Sequence, residues 1–210
     1  MTQVKICGLS TAESMQAALD AGAEMVGLVF YPRSPRNVSL EQAAALAAQA
    51  RGRAKIVALV VDADDALLKS IVNAVRPDYL QLHGSETPVR VAEITTLFHV
   101  PAIKAIKVKE AADVAKAKAF KDVADLILFD AKAPEELLPG GNGLSFDWNL
   151  LKGKDEMFML SGGLTPDNVA EAIRLTRAPI VDVSSGVETL PGKKDIALIR
   201  KFIERAKSAR

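Results

Sequence analysis

The chain has 210 residues, a formal net charge of +1, a 49% hydrophobic composition and a single cysteine. That apolar content excludes a disordered chain, the balanced charge without long runs of one sign excludes a sequence-independent nucleic-acid surface, and one thiol excludes an intramolecular disulfide. No apolar run approaches the roughly 18 residues that span a bilayer, and no charged and apolar leader opens the chain, so a cytoplasmic protein with no membrane partner is expected.

Gln3 to Gly8 reads as a strand that begins almost at the first residue. Ser10-Thr11-Ala12-Glu13 has the pattern of a capping box, and Met15, Ala18 and Leu19 follow at helical spacing toward a stop at Gly22. Met25 to Phe30 is a buried strand, followed by a loop with two prolines that carries Arg33 and Arg36. Ser39-Leu40-Glu41-Gln42 is a second capping box, heading an alanine-rich helix to about Arg51. Strands are expected at Ala54 to Val61, Asp78 to His83, Ala102 to Val108 and Ala124 to Asp130. The helices between them are expected at about Asp64 to Arg76, Thr87 to Phe98 and Glu110 to Phe120.

Ala131 to Ser145 is the longest irregular stretch and contains Pro139-Gly140-Gly141-Asn142-Gly143. A short helix around Trp148 leads to the strand Phe158-Met159-Leu160, which halts at Ser161-Gly162-Gly163. Thr165-Pro166 is expected to open the next helix, with proline at its first position. The strand Ile180 to Val183 then halts at Ser184-Ser185-Gly186, and a terminal amphipathic helix runs from about Ile196 to Lys207. About eight strand–helix units of similar length, with no linker between them, predict one α/β domain over 1–210, a (β/α)8 TIM barrel. The rival is an open doubly wound sheet, weakened by the lack of a GxGxxG turn after the first strand.

In such a barrel, function sits at the carboxyl ends of the strands. Cys7, Gln81, His83 and Asp130 occupy such ends, and Arg36 follows one. The two serine-glycine turns on the last two units suit a phosphate, because glycine lets the backbone come close and N–H groups at helix starts face the charge. Alternation along strands puts Lys5 with Cys7, Gln81 with His83 and Asp182 with Ser184. Closure makes the first and last strands neighbours, so Lys5 and Asp182 should meet inside the barrel and place positive charge beneath Cys7, favouring its thiolate. Each residue also has a plainer role: Cys7 as a small buried hydrophobe, Asp130 as a loop cap, Arg36 as a solvated cation and His83 as a structural histidine. Neither histidine has a partner at zinc-ligand spacing, so no metal is expected.

Several motifs together resemble the phosphoribosylanthranilate isomerase family. They are Val4-Lys5-Ile6-Cys7-Gly8, Val26 to Tyr31 with Ser34-Pro35-Arg36, Leu80-Gln81-Leu82-His83-Gly84 and Phe129-Asp130. Gly140 to Gly143 with Phe146-Asp147-Trp148, Leu160 to Leu164, Val181 to Glu188 and Pro191 to Asp195 complete the set, in order and across nearly the whole chain. The resemblance implies an Amadori rearrangement of N-(5-phospho-β-D-ribosyl)anthranilate in tryptophan biosynthesis, with no cofactor. It implies Cys7 as general base, Asp130 as general acid and Arg36 as the contact for the anthranilate carboxylate. Gln81, His83, Gly162, Gly163, Asp182, Ser184, Ser185 and Gly186 are the expected substrate contacts, and the assembly is expected to be a monomer or homodimer. Another phosphosugar barrel would need a lysine-rich catalytic set or metal-binding histidines, and neither is present. A non-catalytic phosphosugar-binding barrel is the alternative from a different class.

Overall fold

The computed structural model describes residues 1–132, 141 and 143–209. Eight parallel strands close in sequence order: β1 (Gln3–Cys7), β2 (Met25–Phe30), β3 (Lys55–Val60), β4 (Tyr79–Leu82), β5 (Ala102–Val108), β6 (Leu126–Ala131), β7 (Phe158–Leu160) and β8 (Ile180–Val183). The expected barrel is therefore present, and the open-sheet rival is excluded by the pairing of β1 with β8. Helices α1 (Ala12–Asp20), α2 (Leu40–Ala50), α3 (Asp65–Val75), α4 (Pro88–Phe98), α5 (Ala111–Ala115), α6 (Val169–Thr176) and α7 (Ile196–Ser208) connect the strands or close the chain.

Two apolar layers follow from the alternation of side chains. One set, including Val4, Ile6, Val26, Leu28, Ile199 and Phe202, fills the space between strands and helices. The other, including Met25, Val57, Ile103, Leu128, Met159 and Ile180, forms a separate cluster inside the barrel. Each large side chain in these layers contributes about 1.5–3 kcal/mol by leaving water. Lys5 and Asp182 are register partners, and their Nζ and Oδ1 lie 2.9 Å apart with both side chains buried. The meeting inferred from strand parity is thus observed. The side of the barrel opposite the strands' carboxyl ends is tied by Glu24, which accepts from the Val4 N–H and from Lys207 of α7.

Four local expectations differ from the structure. The cap of α1 is Thr11, not Ser10: its hydroxyl accepts from the Ser14 N–H, while the Ser10 carbonyl takes the Gln42 amide. α6 starts at Val169, later than Thr165-Pro166, because the Asn168 side chain accepts from the Thr165 N–H and donates to the Gly163 carbonyl, closing a turn first. The Glu110 to Phe120 helix is one α turn continued by a 3-10 segment, Lys116–Phe120. That stretch buries little beyond Asp113 and Phe120, and good helix propensity without an apolar stripe does not sustain a long helix. Between β8 and α7 lies an unforeseen hairpin, β9 (Glu188–Leu190) with β10 (Lys193–Lys194). Pro139, Gly140 and Asn142 of the expected glycine-rich loop lie outside the described residues.

Candidate active site

Cys7 is the last residue of β1, and its side chain, buried from bulk solvent, lines a cavity at the strands' carboxyl ends. Arg36, Gln81, His83, Asp130, Asp182 and Ser184 line the same cavity. An adjoining hollow is walled by Gly162, Gly163, Ser185 and Gly186, and shares Asp130, Gly141, Ser161, Asp182 and Ser184 with the first. The structure thus gathers every residue expected at the site into one connected crevice. Among the described residues, no cluster of His, Cys, Asp and Glu could hold a metal ion.

The thiol stands over charge that is already spent. Lys5 bonds Asp182 Oδ1, and Ser161 Oγ donates to the other carboxylate oxygen at 3.3 Å. Burial pushes the Cys7 thiol up, Lys5 and Lys194 pull it down, and the Asp182 carboxylate pushes it up again; the net direction is upward. Lys5 does pull toward the thiolate, as expected, and Asp182 opposes it in part; burial outweighs both and sets the net direction. Lys5 itself is held above the ordinary lysine value: burial lowers it first, and Asp182 and Cys7 more than restore it.

Asp130, near the end of β6, places Oδ2 3.1 Å from His83 Nε2 and accepts from the Ala131 N–H through Oδ1 at 2.9 Å. The other histidine nitrogen, Nδ1, is 2.9 Å from Gln81 Nε2. Which of these two contacts His83 donates to is set by its tautomer, and that tautomer is coupled to the orientation of the Gln81 amide. Both ring nitrogens of His83 therefore face protein groups. Gln81 Oε1 is buried with no partner among the described residues and belongs to a residue on the cavity wall.

The second hollow owes its shape to close backbone packing. Gly162 has φ +87°, and a side chain there would run into the Ala131 amide. At Gly186 a side chain would overlap the Leu164 carbonyl oxygen, so only glycine lets the two loops approach. The N–H groups of Gly162, Gly163, Ser185 and Gly186 have no backbone acceptor among the described residues. Undischarged donors around one hollow are what an anion requires.

Arg36 reaches the crevice from the loop after β2, but its fork is already engaged. Nε donates to Glu188 Oε1 at 2.8 Å, and Nη2 donates to Glu188 Oε2 at 2.7 Å and to the Gly141 carbonyl at 3.1 Å. Burial alone would raise the Glu188 carboxyl; the bonds from Arg36 and Lys194 outweigh it and hold it below the ordinary value. Ser161, Glu188 and Lys194 carried no role in the sequence reading. Ser161 could have been found from its parity with Met159, whereas Glu188 and Lys194 are placed by a hairpin with no strong strand signal.

Comparison with known proteins agrees with this geometry. The model of the N-(5'-phosphoribosyl)anthranilate (PRA) isomerase family matches residues 4–205. An N-(5'-phosphoribosyl)anthranilate isomerase from Bradyrhizobium sp. (strain ORS 278) is 56% identical over 209 residues, covering 98% of this chain and 95% of the relative. The crystal structure of phosphoribosyl anthranilate isomerase from Thermotoga maritima superposes with a TM-score of 0.89 at 36% identity, covering 99% of both chains. Another phosphoribosyl anthranilate isomerase structure, in complex with reduced 1-(o-carboxyphenylamino)-1-deoxyribulose 5-phosphate, superposes with a TM-score of 0.86 at 34% identity and 99% coverage of both chains. With the barrel closed, the crevice assembled and the match running almost end to end, this chain belongs to the phosphoribosylanthranilate isomerase family.

Proposed function

We propose that Cys7 and Asp130 carry the family's reaction, the Amadori rearrangement of N-(5-phospho-β-D-ribosyl)anthranilate to 1-(2-carboxyphenylamino)-1-deoxy-D-ribulose 5-phosphate. Asp130 protonates the ribose ring oxygen as the C1–O bond breaks and the anilino nitrogen becomes an iminium. Cys7, as thiolate, removes the proton from C2, and the electron pair left there neutralises the iminium to give an enolamine. Tautomerisation of the enol at C2 yields the ketone. Hydrogen leaves and returns as a proton, so the sum is an isomerisation.

The observation that carries this reading is that Cys7 and Asp130 line one cavity, which adjoins the hollow ringed by N–H groups with no backbone acceptor among the described residues. A phosphate held there anchors the sugar between acid and base, so that binding far from the reacting carbons supplies orientation. Gln81 and His83 hold Asp130 in place, Gln81 against His83 Nδ1 and His83 Nε2 against Oδ2. Arg36 offers its guanidinium to the anthranilate carboxylate.

The test is turnover of the purified chain and its variants, followed by loss of anthranilate-type fluorescence with substrate formed in situ. Cys7→Ala and Asp130→Asn are each expected to lower kcat by at least about a hundredfold, the scale of positioned acid–base catalysis. Both should still bind the reduced product analogue within a few-fold of the unaltered chain. Near-normal turnover in either variant removes that residue from the mechanism.

A further inference from the structure

The carboxylate of Glu188 is the most heavily bonded side chain near the crevice that the reaction leaves unused. It accepts from Arg36 Nε and Nη2, from Lys194 Nζ at 2.7 Å, and from the Gly192 N–H at 3.2 Å. Its side chain is 4% exposed, that of Arg36 5% and that of Lys194 1%. Lys194 also donates to the carbonyl and hydroxyl of Ser184, at 3.0 and 3.2 Å, where β8 meets the phosphate hollow.

Two cations and one carboxylate leave the cluster with one uncompensated positive charge. Arg36 lines both the Cys7 cavity and the groove beside the outer hairpin, whereas Glu188, the first residue of β9, lines only that groove. Of the guanidinium donors, Nη1 has no acceptor among the described residues, and a side chain at Gly141 would press against it. The Nε–Nη2 edge is thus clamped, Nη2 is used twice, and Nη1 alone is left beside Gly141.

We propose that Glu188 is a positioning residue for the carboxylate of the substrate: it grips the Nε edge of Arg36 so that the Nη1 edge faces the cavity, and through Lys194 it fixes that edge relative to the phosphate hollow. A long side chain with several rotatable bonds loses much freedom on ordering. Glu188 removes that cost before the ligand arrives, and its four donors make it a fixed post rather than a place-holder that the ligand displaces. This inference rests on the reading that Arg36 receives the carboxylate.

The experiment measures, by calorimetry, binding of two ligands: the reduced product analogue and its phenylamino counterpart lacking the carboxyl group. The unaltered chain, Glu188→Ala, the nearly isosteric Glu188→Gln, and Arg36→Met are compared. Both Glu188 variants are expected to lose at least about tenfold in affinity for the carboxylate ligand and less than about twofold for its counterpart. In turnover, Glu188→Gln is expected to raise KM with kcat changed by less than about threefold. Equal losses for both ligands, or no loss for either, in Glu188→Gln overturn the proposal by making the role structural or absent. If Arg36→Met discriminates between the ligands and the Glu188 variants do not, the proposal alone falls. If Arg36→Met does not discriminate, the assignment of Arg36 falls first and the proposal with it.

Discussion

A buried thiol flanked by a lysine and an aspartate can be tuned either way, and Cys7 shows which influence prevails. Burial is the largest effect and raises it; Lys5 lowers it; Asp182 raises it again. The sign follows: with the thiol pushed upward, the thiolate is expected to grow in as pH rises past the ordinary cysteine range. Since Cys7 is the only cysteine in the sequence, its alkylation by iodoacetamide reports this directly. The rate should climb with pH to a midpoint above the usual thiol value of about 8.5. Asp182→Asn, which frees the charge of Lys5, should move the midpoint down, and Lys5→Met should move it up. A midpoint below 8 in the unaltered chain, or shifts of the opposite sign, would contradict the account of the pair. Parity alone made the Lys5–Asp182 meeting legible in the sequence. The balance of their effects on Cys7 was not, because depth of burial is set by the closed barrel and not by strand alternation.

Among the elements, the serine-glycine turns after β7 and β8 were readable from the sequence, and the structure brings both to the wall of one hollow. What the sequence did not show is why glycine is needed at each position. Gly186 has no left-handed backbone; it is small because the Leu164 carbonyl from the neighbouring turn occupies the space of a side chain. Gly186→Ala should therefore separate the two loops, lower kcat/KM by at least about tenfold, and weaken inhibition by inorganic phosphate in parallel. Unchanged phosphate inhibition would detach this turn from the anion site. The delayed start of α6 and the brevity of α5 were hidden for opposite reasons. In the first, the Asn168 side chain competes with the helix for backbone groups. In the second, favourable residues lack a core to cover. Glu188 was invisible in role because its position depends on a hairpin whose strands are three and two residues long.

At the scale of the molecule, regular alternation of strands and helices was enough to give the barrel, and the register of β1 with β8 closes it. α7 seals that junction, burying Ile199, Phe202 and Ile203 near the site's foundation strand. Truncating Phe202 to alanine should cost about 3–5 kcal/mol of unfolding free energy, measured by denaturant titration. A loss below about 1 kcal/mol would mean that α7 packs too loosely to hold β1, and Cys7 with it, in place. The central claim is that Cys7 and Asp130 stand on opposite sides of one sugar whose phosphate lies in the last two turns. A crystal structure of this chain with the reduced product analogue tests it most directly. The account predicts Cys7 Sγ and an Asp130 carboxylate oxygen approaching C2 and the former ring oxygen at about 3–3.5 Å from different faces, with phosphate on the N–H groups of Gly162, Gly163, Ser185 and Gly186. Either side chain beyond about 6 Å from the sugar, or the phosphate bound elsewhere, would contradict it.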